Sequence, residues 1–310
     1  MENKFSRELQ RNLRQRIRQI DANPARIVIS IDDAFSINLI SSFLRAVGNN
    51  ARLRWFSILK EFFTEQNRIS TGFPVKFRED VTIDELQQIE ANEIDRFIDR
   101  PFYGATIIQR IETLRSGLGE RAITAFASGM KSGLGYGQIM ENIRHELAIG
   151  GSQLERLVRT EGQRISNDIL LATYEKNKKN IGGIMYQATL DMRTCETCGH
   201  YDRDEYWYDG VPNAGKAPYV PLHPMCRCVY VPISKEWRNK TSRASMFGPI
   251  DTDYKEWLKS AEVNDPGFAK PILGKNYNSW KQGNYTPSDK LTPQITYSNY
   301  LTQTKGIRND

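Results

Sequence analysis

The sequence predicts a mainly α protein, α+β overall. Its parts are a helical N-terminal region at 1–139, a small metal-pinned α+β core at 140–232 and an extended C-terminal tail at 233–310. Three observations predict this. Apolar residues recur at three- and four-residue spacing through most of the chain up to Lys176, which is the helical period. Short alternating runs replace that period at Ile184–Leu190 and Val229–Val231. Between them, Thr194–Cys228 gathers all four cysteines and two of the three histidines.

In the first element, Phe5, Leu9, Leu13, Ile17 and Ile20 make one apolar stripe. Lys4, Arg7, Arg11, Arg14, Arg16 and Arg18 surround it against only Glu2 and Glu8. Such a face is most often a solvated cationic surface; the functional reading is a basic arm that touches DNA through Arg7, Arg11, Arg14 and Arg18. A helix capped by Asp32 or Asp33 runs to Val47, where Gly48-Asn49-Asn50 breaks it. A second helix over Ala51–Gln66 carries Leu53, Phe56, Leu59 and Phe63 on one face, and a third follows the capping box Thr82–Glu85 as far as Asp99. Ile107–Ala127 is helical, with Leu114, Leu118, Ile123 and Phe126 apolar. The glycines of Ser128–Gln138 lack the spacing of a phosphate loop and mark an interhelical turn.

Ser152–Lys176 is the most strongly periodic helix, with Leu154, Val158, Ile165 and Ile169 inward and Glu161 on the same stripe. An inward carboxylate costs several kcal/mol unless it meets a cation or donors. Glu161 is therefore a structural buried acid paired with Arg159, Arg164 or an arginine of another segment, the alternative being a catalytic acid. Beyond Pro232, proline and asparagine are frequent and periodicity fades, apart from a short helix around Tyr254–Ser260.

The cluster reads Cys195-x2-Cys198, then His223-x2-Cys226-x-Cys228. Two short ligand pairs joined by a loop are how structural zinc sites are built. Cys195, Cys198, His223 and Cys226 are the preferred set, with Cys228 in reserve because the strand after it would carry it away. Four such ligands leave no open position, which predicts a structural zinc and no enzyme. Nucleobase-deaminase and H-E-x-x-H patterns are absent. A zinc-supported nuclease using His200 or Glu161 is the alternative, and a cellular zinc module binding nucleic acid is a third reading.

At 310 residues the chain exceeds one ordinary domain, and its formal charge of +6 permits a polyanionic partner without demanding one. Met1–Ile20 is charged throughout and lacks the apolar core of a signal peptide. The most apolar stretch, 27–47, is interrupted by Asp32, Asp33 and Arg45. The expectation is a soluble chain without a membrane partner, made in a reducing cytoplasm where thiols bind metal.

Taken together, Arg159-Thr160-Glu161 in a helix, Asp191-x-Arg193-Thr194-Cys195-x2-Cys198 and His223-Pro-x-Cys226-Arg-Cys228 resemble the phage head morphogenesis proteins. These are the minor head proteins similar to protein F of phage Mu. The resemblance covers about 140–232 and extends weakly to Tyr254-x2-Trp257-Leu258 and Leu273-Gly274; Gly199–Asp204 departs from the family's Leu-x-Gly. It implies a late virion protein present in few copies inside the head near the portal vertex. Its implied partners are the portal protein, double-stranded DNA without sequence preference, and scaffolding or major capsid protein. Its implied roles are head assembly and DNA packaging or delivery.

Overall fold

The structure is a computed structural model and describes residues 37–70, 86–102, 104–233 and 243–285. The basic first element with Arg7, Arg11, Arg14 and Arg18, the caps Asp32 and Asp33, the box Thr82–Glu85 and residues 286–310 lie outside the described residues. Helices dominate: α1 (Ile37–Ser70), α2 (Ile94–Ile98), α3 (Ile107–Lys131) and α4 (Tyr136–Lys176) precede a three-stranded antiparallel sheet. Contacts divide the chain into two compact units, one holding 37–50 and 91–165, the other 51–90 and 166 onward.

Two expected boundaries in this helical part differ. The break at Gly48–Asn50 is bridged, and α1 continues through it. A glycine in a helix costs about 1 kcal/mol, which burial of Leu44, Ala51, Trp55 and Leu59 on either side outweighs. The amide of Asn50 also bonds back to Ala46 O at 2.8 Å, inside the helix. The inward face is therefore 51/55/59, and Leu53 is 55% exposed. The helix expected to reach Asp99 is instead an extended piece, 86–90, followed by one 3-10 turn and α2. The backbone of 86–90 is satisfied from outside: Gln87 N donates to Asn177 Oδ1 at 2.9 Å, and Asn177 Nδ2 donates back to Gln87 O at 2.8 Å.

In the first unit, α3 buries Ile107, Ile111, Leu118 and Ala122, the four-residue ridge of one face. Ile123, expected inside, falls one position off that ridge and is 57% exposed. The helices approach closely at glycines: a Cβ on Gly150 would lie 2.1 Å from Leu118 Cδ2, and one on Gly129 would lie 2.6 Å from Ile139 Cγ1. α4 runs unbroken through Gly150-Gly151 and begins before Ser152, and Gly150 is where Leu118 of α3 comes closest. Residues 132–135 make the interhelical turn foreseen for the glycine run, with Gly133 at φ +67.

Glu161 lies in the same unit and is fully buried. Arg164 Nε donates to its Oε2 at 2.6 Å and Arg110 Nη1 to its Oε1 at 2.8 Å, while Arg159 pairs with Glu155.

In the second unit, β1 (Gly183–Gln187) is the central strand, flanked by β2 (Glu205–Trp207) and β3 (Val229–Ile233). Gly183 sits opposite Trp207, where a Cβ would meet Tyr206 O at 2.3 Å. Pro232, which cannot donate to the ladder, is on the edge strand β3. Tyr174, Tyr186, Tyr206 and Tyr230 fill the core beside the sheet, Tyr186 and Tyr230 meeting edge to face at 5.6 Å.

Much of the expected tail is folded. β4 (Arg243–Ser245) and β5 (Gly248–Ile250) form a hairpin, and α6 (Tyr254–Asn264), α7 (Lys270–Leu273) and α8 (Tyr277–Lys281) follow. Tyr254, Trp257, Leu258, Ala261, Phe268 and Leu273 bury themselves around Leu190. Tyr254, Trp257, Leu258 and Ala261 keep the i, i+3, i+4, i+7 spacing of one helix face, where a short helix was expected, while Phe268 and Leu273 come from the turn and the short helix after it. No helix among the described residues is long and apolar enough to cross a membrane.

Candidate metal centre

Cys195 is the N-cap of the five-residue helix α5 (Glu196–His200), and Gly199 N donates to Cys195 O at 3.0 Å. The i, i+3 spacing then sets Cys195 and Cys198 on one side of a single turn. On the opposite knuckle, Cys226 N donates to His223 O at 3.1 Å, and Met225 takes the left-handed conformation at φ +66. His223 Nδ1 lies 2.8 Å from Pro224 O, which leaves Nε2 to face Cys195 Sγ at 3.3 Å and Cys198 Sγ at 3.1 Å. Cys198 and Cys226 are 3.8 Å apart at sulfur.

Cys228 is not carried away. Its sulfur lies within 4.8 Å of both Cys198 and Cys226, so the five donors form two triads that share Cys198. Burial alternates through the stretch that leads into β3: Cys226, Cys228 and Tyr230 are buried, while Arg227 and Val229 are half-buried.

The two knuckles are held by residues of the motifs themselves. Asp191 accepts from Arg193 N at 2.9 Å, fixing the turn before Cys195, and pairs with Arg227, whose Nη2 donates at 2.7 Å. Arg227 stands between Cys226 and Cys228, so one ion pair ties the first knuckle to the second. Burial would raise the Asp191 carboxyl, but its bonds from Arg227, Arg193 and Thr194 bring it below the usual range. Asn167 of α4 donates to Cys228 O at 3.3 Å.

Electrostatically the cluster stores charge in the manner of a ligand set. The bond from Cys198 outweighs burial and, with His223, draws the Cys195 thiol down to about 4. Bonding to Cys195 raises His223 to about 9. Contacts from Cys198 and Cys228 hold Cys226 well below a free thiol, and bonds from Cys195 and Cys226 push Cys198 up.

The donor set fits a thiophilic tetrahedral ion. At Zn–S of about 2.3 Å and Zn–N of about 2.0–2.1 Å, tetrahedral angles separate sulfur pairs by about 3.8 Å and sulfur–nitrogen pairs by about 3.6 Å. The 3.8 Å Cys198–Cys226 distance meets that value, and the two cysteine–histidine distances, 3.3 and 3.1 Å, are slightly shorter. His200 lies outside both triads, its ring set against Tyr201 at 4.9 Å.

Sequence reasoning missed two contributors: Asp202, which accepts from Ala188 N at 2.8 Å and Tyr254 N at 2.7 Å, and Tyr254, whose hydroxyl donates to Thr194 O at 2.9 Å. Tyr254 stands at the head of the Tyr254-x2-Trp257-Leu258 motif, a signal that was visible without its purpose. Asp202 carries no local signal, since its partners lie 14 and 52 positions away.

Residues 122–231 match the model of a family described as Phage Mu protein F like protein. Both knuckles, Asp191, Arg227 and Glu161 with Arg164 fall inside that segment. Minor head protein GP7 of Bacillus phage SPP1 is 26% identical over 192 residues, 56% of this chain and 61% of that protein. The chain thus spans less than two thirds of that relative's length. Together the two matches support a phage minor head protein family, as the motifs led one to expect. No solved structure matches the chain.

Proposed function

We propose that this chain is a minor head protein of the virion, docked on the portal protein inside the procapsid and contacting packaged DNA. The observation that carries the reading is the convergence of Asp191, Cys195, Cys198, His223, Cys226, Arg227 and Cys228 on one knob. These residues are the motifs shared with the minor head proteins, and they lie within the matched segment. A knob so built is a rigid surface and not a reaction centre. Both oxygens of Glu161 are occupied by guanidinium groups, so no observation favours the nuclease reading.

A structural zinc held by Cys195, Cys198, His223 and Cys226 would fold this loop-rich segment, and its binding energy would be folding energy. DNA contact, through Arg7, Arg11, Arg14 and Arg18, would be with phosphates, steeply salt-dependent and indifferent to sequence.

The deciding experiment is co-sedimentation of the purified chain with the portal ring of its own phage, beside metal analysis by mass spectrometry. Stable co-sedimentation and about one zinc per chain are expected. The zinc should be lost in Cys195→Ser and kept in Cys228→Ser. A chain that stays at the top of the gradient overturns the portal reading, and a reduced chain without metal overturns the zinc.

A further inference from the structure

We infer that Tyr254 is a positioning residue for the metal knuckle, and that α6 closes over the Cys195–Cys198 turn as part of the site. The inference rests on the metal reading above and adds to it a residue 26 or more positions beyond the last cysteine.

A five-residue helix cannot hold its own shape: nucleation costs more than so few bonds return. α5 therefore needs external support to keep two sulfurs and an imidazole about 3–4 Å apart. Tyr254 supplies it at three points. Its ring packs against Gly199, where a Cβ would fall 2.1 Å from Cδ1 and 2.2 Å from Cε1. Its hydroxyl donates to Thr194 O at 2.9 Å, the residue just before Cys195. Its backbone N–H donates to Asp202 Oδ2 at 2.7 Å, and Asp202 Oδ1 accepts from Ala188 N at 2.8 Å. One aromatic residue thus fixes both ends of the knuckle and ties it, through Asp202, to the end of β1.

α6 is itself well anchored. Asp253 caps it by accepting from Glu256 N at 2.8 Å, and Trp257, Leu258 and Ala261 are buried around Leu190. Glycine at 199 is then a requirement of contact and not of backbone conformation, since any side chain there would collide with the phenol ring. Groups that orient metal ligands without touching the ion typically alter affinity 10–100-fold.

The test uses the full chain loaded with zinc, and separately with cobalt, in Tyr254→Ala, Tyr254→Phe, Gly199→Ala and Leu118→Ala. Transfer of zinc to a chromogenic chelator should speed up at least 10-fold in Tyr254→Ala and Gly199→Ala. Tyr254→Phe, which keeps the ring and loses the hydroxyl, should fall between these and the wild type. The cobalt absorption bands should shift in the first two. Leu118→Ala destabilises the other unit and should release zinc as the wild type does. Wild-type release rates in both Tyr254→Ala and Gly199→Ala overturn the inference and leave the metal site standing. Equally fast release from Leu118→Ala overturns it too, because metal loss would then follow stability alone. A wild-type chain that takes up no zinc or cobalt removes the metal reading and this inference with it.

Discussion

Replacing Glu161 with glutamine should be among the most damaging conservative changes in the chain. The carboxylate is fully buried between Arg164, whose side chain is also fully buried, and Arg110, which is 21% exposed. Glutamine preserves volume and one acceptor but removes the charge, so the buried Arg164 guanidinium faces a neutral amide in place of a carboxylate. Breaking a buried pair from one side costs about 3–5 kcal/mol, whereas an exposed i, i+4 pair on a helix contributes about 0.3–0.5 kcal/mol. Arg159→Ala, which breaks the partly exposed bond to Glu155 at 3.4 Å on the same helix, is the internal comparison. With an urea slope of roughly 2–3 kcal/mol/M, the midpoint should fall by about 1–2 M in Glu161→Gln and barely move in Arg159→Ala. The paired replacement Glu161→Met with Arg164→Met should recover part of the loss, since it leaves no such charge behind. A Glu161→Gln midpoint equal to that of Arg159→Ala would refute the reasoning.

Asn177→Ala removes both bonds to the Gln87 backbone and the one to Thr173 O at 2.7 Å. A loss of about 2–4 kcal/mol is expected, with faster amide exchange at Gln87, and unchanged exchange there would count against the clamp. Gly183→Ala sets a methyl 2.3 Å from Tyr206 O. A rigid backbone cannot give way, so β2 should detach from β1, seen as loss of exchange protection at Glu205–Trp207; retained protection would contradict this. Glu262 titrates in a predictable direction. Burial alone would raise its carboxyl, but bonds from Tyr277, Ala269 N, Gly267 N and Lys281 hold it at about 2. A depressed carboxyl stabilises the fold above its unfolded value of about 4.3 and loses that contribution as pH falls towards about 2. Acid titration should show α6–α8 loosening in that window, and Glu262→Gln should abolish the pH dependence there.

The sequence revealed more of the site than of the packing around it. The cysteine and histidine spacing is a local property: Cys195-x2-Cys198 and His223-x2-Cys226 each close one turn, so letters a few places apart already define a ligand pair. The inward position of Glu161 was equally legible, because a helical stripe fixes which face a residue shares. Its partner was only half legible: Arg164 is one turn away on the same helix, while Arg110 reaches it from α3.

Tertiary structure alone decided the rest. Whether α1 breaks at Gly48 depends on what is buried on either side of it, and the helix continues because Leu44 and Trp55 both find a core. The 86–90 segment gave up helical hydrogen bonds because Asn177, some 90 positions away, offers equivalent ones. Cys228 stays with the cluster because 226–230 buries every second residue and Asn167, 61 positions away, holds its carbonyl, a long-range choice. Beyond the short helix expected around Tyr254–Ser260, residues 261–273 look like tail by period, yet the whole segment gathers around Leu190 and closes over the knuckle. Ligand spacing and helical faces are set by bonds within a turn or two of chain. Which surfaces meet is set by burial and hydrogen-bond satisfaction between distant segments, and that is settled only when the chain folds.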